Sequence, residues 1–242
     1  MAIRNRIIPL IYRVAAFSLC VYALIVIFGV DATAAQPYRS LLYFGTQCTI
    51  ATTVLFGFSI VFNFIDLLKH GPNGIAASSF MPLNLAVLSY LLSDTLIFIF
   101  DSRLGGDLIT YLNNNGNIPS ILEHIIVPAL FLFDWLLFQE KGSVKWTSGL
   151  FWIFYPGIYT LATIIAKEVW ASNTYLYEFL NAYHFSSYEN FFSGNGGWNG
   201  VAVYIVLFTA LFEGMGFLLI FINKALAGRY RRKRLGDTPK QF

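Results

Sequence analysis

Charged residues are scarce in this chain of 242 residues. They make up 12% of the sequence, against about a quarter in an ordinary soluble domain. Hydrophobic residues make up 57%, and the mean hydropathy is +0.61. A soluble fold of this size cannot hide so much apolar surface, whereas a bilayer can. The composition excludes a soluble enzyme and a disordered chain, and it indicates a multi-pass membrane protein.

Cysteine is nearly absent as well. The two cysteines, Cys20 and Cys48, lie in separate apolar stretches, so the sequence predicts no disulfide framework and excludes a secreted disulfide scaffold.

Six long apolar stretches are present, and each approaches the roughly 20 residues that a helix needs to cross the hydrocarbon core. The predicted spans are residues 7–30, 41–65, 80–100, 118–138, 149–166 and 200–222. We therefore predict an all-α fold, with residues 1–228 as one six-helix transmembrane domain and residues 229–242 as a basic tail. An alternative for the first stretch is a signal peptide, because Ala32-Thr33-Ala34 resembles a cleavage site. Its apolar run is longer than such signals usually have, which favours retention as a span.

Basic residues are distributed unequally between the two sides of this predicted topology. The side that carries the termini has 13 Lys and Arg residues and the other side has three, which predicts cytoplasmic termini, as in a bacterial cytoplasmic membrane. Six of the basic residues fall between Lys224 and Arg234. A basic tail beside a span favours contact with anionic lipid headgroups over nucleic acid.

Polar residues inside the spans are functional candidates, because ionisable groups are costly there. At a rise of 1.5 Å per residue, Thr46 lies roughly 7.5 Å deep, and Asp94 and His124 each lie about 9 Å deep in the outer leaflet. Glu123 adjoins His124, so three spans bring a hydroxyl, an imidazole and carboxylates to one level. These groups are typical of a nucleophile, its base and the group that orients the base. The alternative is a buried hydrogen-bond cluster that joins helices.

Other polar and helix-breaking residues have less specific predictions. Gln47, Tyr159 and Pro128 are candidates for lining a substrate cavity, since Pro128 interrupts its helix. We expect Asp134 to pair with a loop cation such as Lys141 or Lys145. Glu213 is expected to pair with a basic residue such as Arg13 or to belong to a proton path.

One segment resembles a known family. Glu123-His124-Ile125-Ile126-Val127-Pro128, followed by Asp134-Trp135-Leu136-Leu137-Phe138, resembles the signature of the six-helix Pr6Pr membrane proteins. That family is distantly similar to the androgen-induced membrane hydrolases, which cleave fatty acid esters of hydroxy fatty acids with an intramembrane threonine and a histidine. His124 matches the histidine position. The family's Tyr-Phe-Thr-x-Gln segment reads Tyr43-Phe44-Gly45-Thr46-Gln47 here, so the threonine is displaced by one residue.

These observations lead to the hypothesis of an intramembrane hydrolase of lipid esters. Thr46 would be the nucleophile and His124 the base, with Asp94 or Glu123 orienting the imidazole. The expected partners are membrane lipids and a lipid-like ester, without nucleic acid, and no metal or other cofactor is predicted, because the histidine and scattered carboxylates form a weak metal site. The alternatives are an inactive lipid-binding protein of the same fold and a small-molecule or proton-coupled transporter.

Overall fold

The computed structural model describes residues 3–33, 39–78, 80–100, 118–170 and 198–236, and the regular elements among them are all helical. The α-helices are, in chain order, α1 (Ile7–Thr33), α2 (Phe44–His70), α3 (Met81–Phe100), α4 (Ile118–Ile121), α5 (Val127–Phe138), α6 (Thr147–Trp152), α7 (Phe154–Trp170) and α8 (Trp198–Gly236). A 3₁₀ turn, Arg39–Leu42, precedes α2, and a π-helical turn, Leu122–Ile126, joins α4 to α5.

Within the described ranges, six helical segments are long and apolar enough to cross a membrane, which agrees with the predicted number of spans. They are Ile7–Gly29, Phe44–His70, Met81–Ile99, Ile118–Phe138, Thr147–Ile165 and Val201–Ala227. The fourth span combines α4, the π-helical turn and α5, while the fifth combines α6 with the first part of α7. Many large apolar side chains are exposed on these helices, as expected for surfaces that face lipid.

The second span differs from its predicted bounds of 41–65 at both ends. Its first residues form the 3₁₀ turn, and α2 then continues past Ile65 to His70. Gly71 ends the helix because it adopts φ 73°, a left-handed conformation that glycine reaches at little cost, and its N–H donates to the carbonyl oxygen of Leu67. The last helix also differs, since α8 continues to Gly236 and so includes part of the predicted tail.

The centre of the bundle lies around α2 and α3. In an apolar 18-residue stretch of each of these spans 44% and 50% of the residues are buried, against 17% in the fifth and sixth spans, which places the last two at the periphery of the described bundle. Most of the largest fully buried apolar side chains come from α2, α3 and α5, among them Phe56, Leu85, Leu88, Leu91 and Trp135, and Ile220 of α8 is buried as fully. The rings of Phe56 and Phe131 meet edge to face at 5.3 Å between centroids, joining α2 to α5.

A buried ion pair shows that the partners predicted from the sequence for Asp134 and Glu213 are wrong. Asp134 pairs with Arg13 rather than with Lys141 or Lys145: Arg13 Nε lies 2.8 Å from Asp134 Oδ1, and both side chains are almost fully buried. Arg13 is therefore not the partner of Glu213. The reason is geometric, because α1 and α5 pack together and bring the two side chains to the same level, whereas Lys141 turns back to the carbonyl oxygens at the end of α5.

Further hydrogen bonds extend this ion pair into what we call the Arg13 network, formed by Arg13, Asp134, Gln139 and Asn84. Gln139 Nε2 donates to Asp134 Oδ2 at 2.6 Å, and Asn84 Nδ2 donates to Gln139 Oε1 at 3.4 Å. Arg13 Nη1 also donates to the carbonyl oxygen of Ala77 at 2.6 Å. Just outside the span, burial lowers the pKa of Lys141 to about 8, although Asp134 opposes the shift.

Candidate functional site

The fourth span changes its helical winding at Glu123 and His124. Both residues lie in the π-helical turn, in which the N–H of Val127 donates to the carbonyl oxygen of Leu122, five residues earlier. Pro128 follows and has no N–H, so the carbonyl oxygen of His124 lacks its usual partner four residues later. Such turns occur often at functional sites. The extra residue in the turn changes the directions in which the side chains of the helix point.

Thr95 of α3 supplies the missing hydrogen bond. Its hydroxyl lies 2.7 Å from the carbonyl oxygen of His124 and 2.8 Å from that of Leu91, one turn earlier in its own helix. Inside a membrane an unsatisfied carbonyl is costly, so this contact stabilises the irregular turn. It also fixes α3 against the fourth span beside the predicted site.

The imidazole of His124 is held on one edge and on one face. Its Nδ1 lies 2.8 Å from Asp94 Oδ2, and its ring stacks on Phe98 with 4.4 Å between centroids and 12° between planes. Both contacts come from α3, where the two residues are one turn apart. Among the described residues, Nε2 of His124 has no hydrogen-bond partner.

The hydroxyl of Thr46 contacts Glu123 rather than His124. Thr46 is buried, and its Oγ1 donates to Glu123 Oε1 at 2.8 Å. The site therefore contains two pairs, Thr46 with Glu123 and His124 with Asp94. Of the two carboxylates that the sequence offered for orienting the imidazole, Asp94 makes the contact.

Gly45 lies at the point where the two pairs meet. A Cβ atom built on Gly45 would lie 2.7 Å from Glu123 Oε1, 2.8 Å from Asp94 Oδ2 and 3.1 Å from His124 Cε1. Because glycine has no side chain, both carboxylates and the imidazole converge on the backbone of α2 at this position. The structure thus brings together the side chains around Gly45 that the sequence offered as catalytic candidates, Thr46, Asp94, Glu123 and His124.

The predicted cavity residues have structural contacts of their own. Tyr155 donates to Gln47 Oε1 at 2.5 Å, and Gln47 Nε2 donates to the carbonyl oxygen of Leu41 at 2.8 Å. The Tyr159 hydroxyl donates to the carbonyl oxygen of Leu42 at 2.5 Å. The fifth span is therefore attached through Gln47 to the first turn of α2 and through Tyr159 to the 3₁₀ turn before it. Pro128 is buried in α5, where it acts through the His124 carbonyl.

Glu213 does not join this site. Both of its carboxyl oxygens are shielded from solvent, and within the described residues no side chain donates a hydrogen bond to either. Among the described residues, Glu213 forms no ion pair with Arg13, whose Nε lies against Asp134.

Two contacts were missed at the level of sequence. Phe98 lies four residues after Asp94 on the same helix face, so helical spacing could have indicated it as a neighbour of the site, whereas Thr95 follows Asp94 directly and lies about 100° around the helix. The distance between helices and the stacking of Phe98 on His124 are tertiary facts that spacing does not give.

No group of three or more His, Cys, Asp and Glu side chains suited to a metal ion occurs within the described residues. No family model, curated protein or solved structure matches the chain.

Proposed function

We propose that the protein is an intramembrane hydrolase that cleaves acyl esters of membrane lipids. The observation that carries this proposal is the contact between the buried hydroxyl of Thr46 and the carboxylate of Glu123, directly beside the His124–Asp94 pair. A hydroxyl that donates to a carboxylate, next to an imidazole oriented by a second carboxylate, has the components of covalent acyl transfer.

In the proposed reaction, Oγ1 of Thr46 attacks the acyl carbon while its proton passes to Glu123. His124, protonated and oriented by Asp94, donates a proton from Nε2 to the departing alkoxide, so the ester C–O bond breaks and an acyl-threonine forms. A water molecule then attacks the acyl-threonine and gives its proton to His124. Glu123 returns its proton to Thr46, which releases the fatty acid and restores the starting state. The roles of Glu123 and His124 follow from which group each one contacts.

The position of the site supports a lipid substrate. Thr46 is the third residue of α2 and lies about 3 Å from the start of that helix, near the end of a membrane span. A lipid ester linkage lies near the boundary between headgroups and hydrocarbon, so a lipid could reach this level sideways from the bilayer. With cytoplasmic termini, as the basic residues indicate, this is the outer leaflet of a cytoplasmic membrane.

The test is hydrolysis of a fluorogenic long-chain acyl ester by the purified full-length chain in detergent. We expect Thr46→Val, which keeps the shape of the side chain, and Glu123→Gln to lower turnover at least about 100-fold, the lower range for loss of a general acid or base. Thr46→Ser should retain turnover because it keeps the hydroxyl. Thr52→Val is the matched control, since the Thr52 hydroxyl is buried in the same helix and, among the described residues, donates only to the Cys48 carbonyl.

One observation favours a second candidate, an inactive lipid-binding protein of the same fold. Gly45, not threonine, occupies the position at which the resembled family has its nucleophile. Absence of turnover by the wild-type protein on a panel of acyl esters would contradict the hydrolase and favour this candidate. Turnover that survives in Thr46→Val but not in His124→Ala would show that Thr46 is not the nucleophile.

A further inference from the structure

A groove at the opposite end of α2 has no part in the proposed reaction. This open groove has a volume of about 470 Å³, and its lining includes Phe62, Ile65, Asp66, Lys69, His70 and Phe80. This volume lies within the range of small-molecule sites. The groove combines an apolar wall with cationic side chains.

The apolar and cationic walls lie at different depths in the membrane. At 1.5 Å per residue, the 27 residues of α2 extend about 40 Å, which is the thickness of a bilayer with its headgroups. Lys69 and His70 at the last turn therefore lie at headgroup level. Phe62 lies eight residues earlier, roughly 12 Å closer to the bilayer centre, at the level of acyl chains.

The only acidic side chain in the groove is already paired. Asp66 Oδ2 lies 2.5 Å from Arg6 Nε, and Asp66 Oδ1 lies 2.7 Å from His70 Nδ1. Arg6 Nη1 also donates to the carbonyl oxygen of Gly71 at 3.0 Å and to that of Asn73. Arg6 thus neutralises both Asp66 and the negative end of the α2 dipole, which would otherwise repel an anion.

Lys69 remains as an unneutralised cation. It is exposed, and within the described residues it has no ion-pair partner. Phe62, Ile65 and Phe80 are exposed beside it, by 38%, 41% and 61%. An occupant that suits both walls has a negatively charged headgroup and at least one acyl chain.

From this combination of charge and depth we infer that the groove binds an anionic phospholipid of the bilayer, with its phosphate beside Lys69 and His70 and an acyl chain along Phe62 and Phe80. This site is separate from the proposed catalytic site. It lies at the end of the bundle that carries the N-terminus, where the sequence also predicts the cytoplasmic leaflet.

Native mass spectrometry of the delipidated full-length chain in detergent tests this inference. The probes are phosphatidylglycerol and phosphatidylcholine with identical acyl chains. We expect tighter binding of phosphatidylglycerol, and a loss of about fivefold for it in Lys69→Gln, because a surface cation contributes about 1 kcal/mol to binding of anionic lipid. Phe80→Ala should weaken the binding of both lipids, since it removes part of the apolar wall.

Lys145→Gln is the matched control, because Lys145 is exposed in a loop at the same end of the bundle but lies outside the groove. It should leave phosphatidylglycerol binding unchanged. Equal binding of the two lipids by the wild-type protein would overturn the inference. So would an equal loss in Lys145→Gln and Lys69→Gln, which would indicate attraction by the whole basic face. Thermal unfolding of each variant shows whether its fold is retained.

Discussion

At the scale of single residues, Gly45 and Thr46 determine what the site can do. One residue along a helix rotates a side chain by about 100°, so a threonine displaced by one position would be expected to point away from His124. As this rotation predicts, the Thr46 hydroxyl does not hydrogen-bond to His124. It donates instead to Glu123, the residue next to His124, so the hydroxyl still belongs to the site.

Alanine at Gly45 tests how closely the site surrounds α2. The new Cβ would lie within 2.8 Å of Oε1 of Glu123 and Oδ2 of Asp94, so both carboxylates must shift. Hydrogen bonds to charged groups contribute about 1.5–3 kcal/mol, and Gly45→Ala should weaken at least one of them. We expect a lower thermal unfolding midpoint in detergent and, for the proposed hydrolase, lower turnover.

Gly57→Ala is the control for this substitution, because it lies in the same helix and its nearest neighbour, Phe17 Cε2, is 3.5 Å from the new Cβ. Replacing a helical glycine by alanine there should stabilise the protein by up to about 1 kcal/mol. Equal midpoints for the two variants would contradict the close approach at Gly45.

At the scale of elements, the irregular fourth span is the feature that the sequence revealed only in part. Pro128 indicates a disturbed helix, but it does not specify whether the helix kinks, breaks or forms a π-helical turn. The winding depends on which neighbour can satisfy the freed carbonyl of His124. That neighbour is Thr95 on α3, and neither the contact nor its distance can be derived from spacing in the chain.

Substitution of Thr95 by valine tests whether this contact stabilises the turn. Thr95→Val keeps the shape of the side chain but removes the donor to the carbonyl oxygen of His124, and an unsatisfied buried acceptor costs about 1–3 kcal/mol. The unfolding midpoint should fall more than in Thr52→Val, whose hydroxyl contacts only its own helix. Equal effects of the two substitutions would mean that Thr95 does not support the turn.

At the scale of the whole molecule, the sequence predicted the number of spans better than the pairing of the polar groups inside them. Six spans and the common depth of Thr46, Asp94 and His124 follow from counting residues along apolar stretches. Which side chains meet depends on how each helix is rotated about its axis and on which helices are adjacent. Asp134 shows the consequence, because Lys141 was closer in sequence but Arg13 on another helix is its partner.

The Arg13 network joins helices that are far apart in the chain, so it should govern the stability of the whole bundle. Arg13 contacts Asp134 of α5 and the carbonyl oxygen of Ala77 ahead of α3, and its side chain is fully buried. Asp134→Leu leaves Arg13 buried without its counter-charge, which typically costs about 3–5 kcal/mol. We expect a large fall in the free energy of unfolding, measured with denaturant in mixed micelles.

The double variant Arg13→Met with Asp134→Leu distinguishes a buried ion pair from simple packing. Replacing both charges with apolar side chains of similar size removes the uncompensated charge, and for buried pairs this change is often neutral or stabilising. The double variant should therefore be more stable than Asp134→Leu alone, with a coupling of about 0.5–3 kcal/mol, the range for residues in contact. If the loss of stability in the double variant equals the sum of the losses in Arg13→Met and Asp134→Leu alone, the pairing is contradicted. Such additivity would mean that the two side chains act independently.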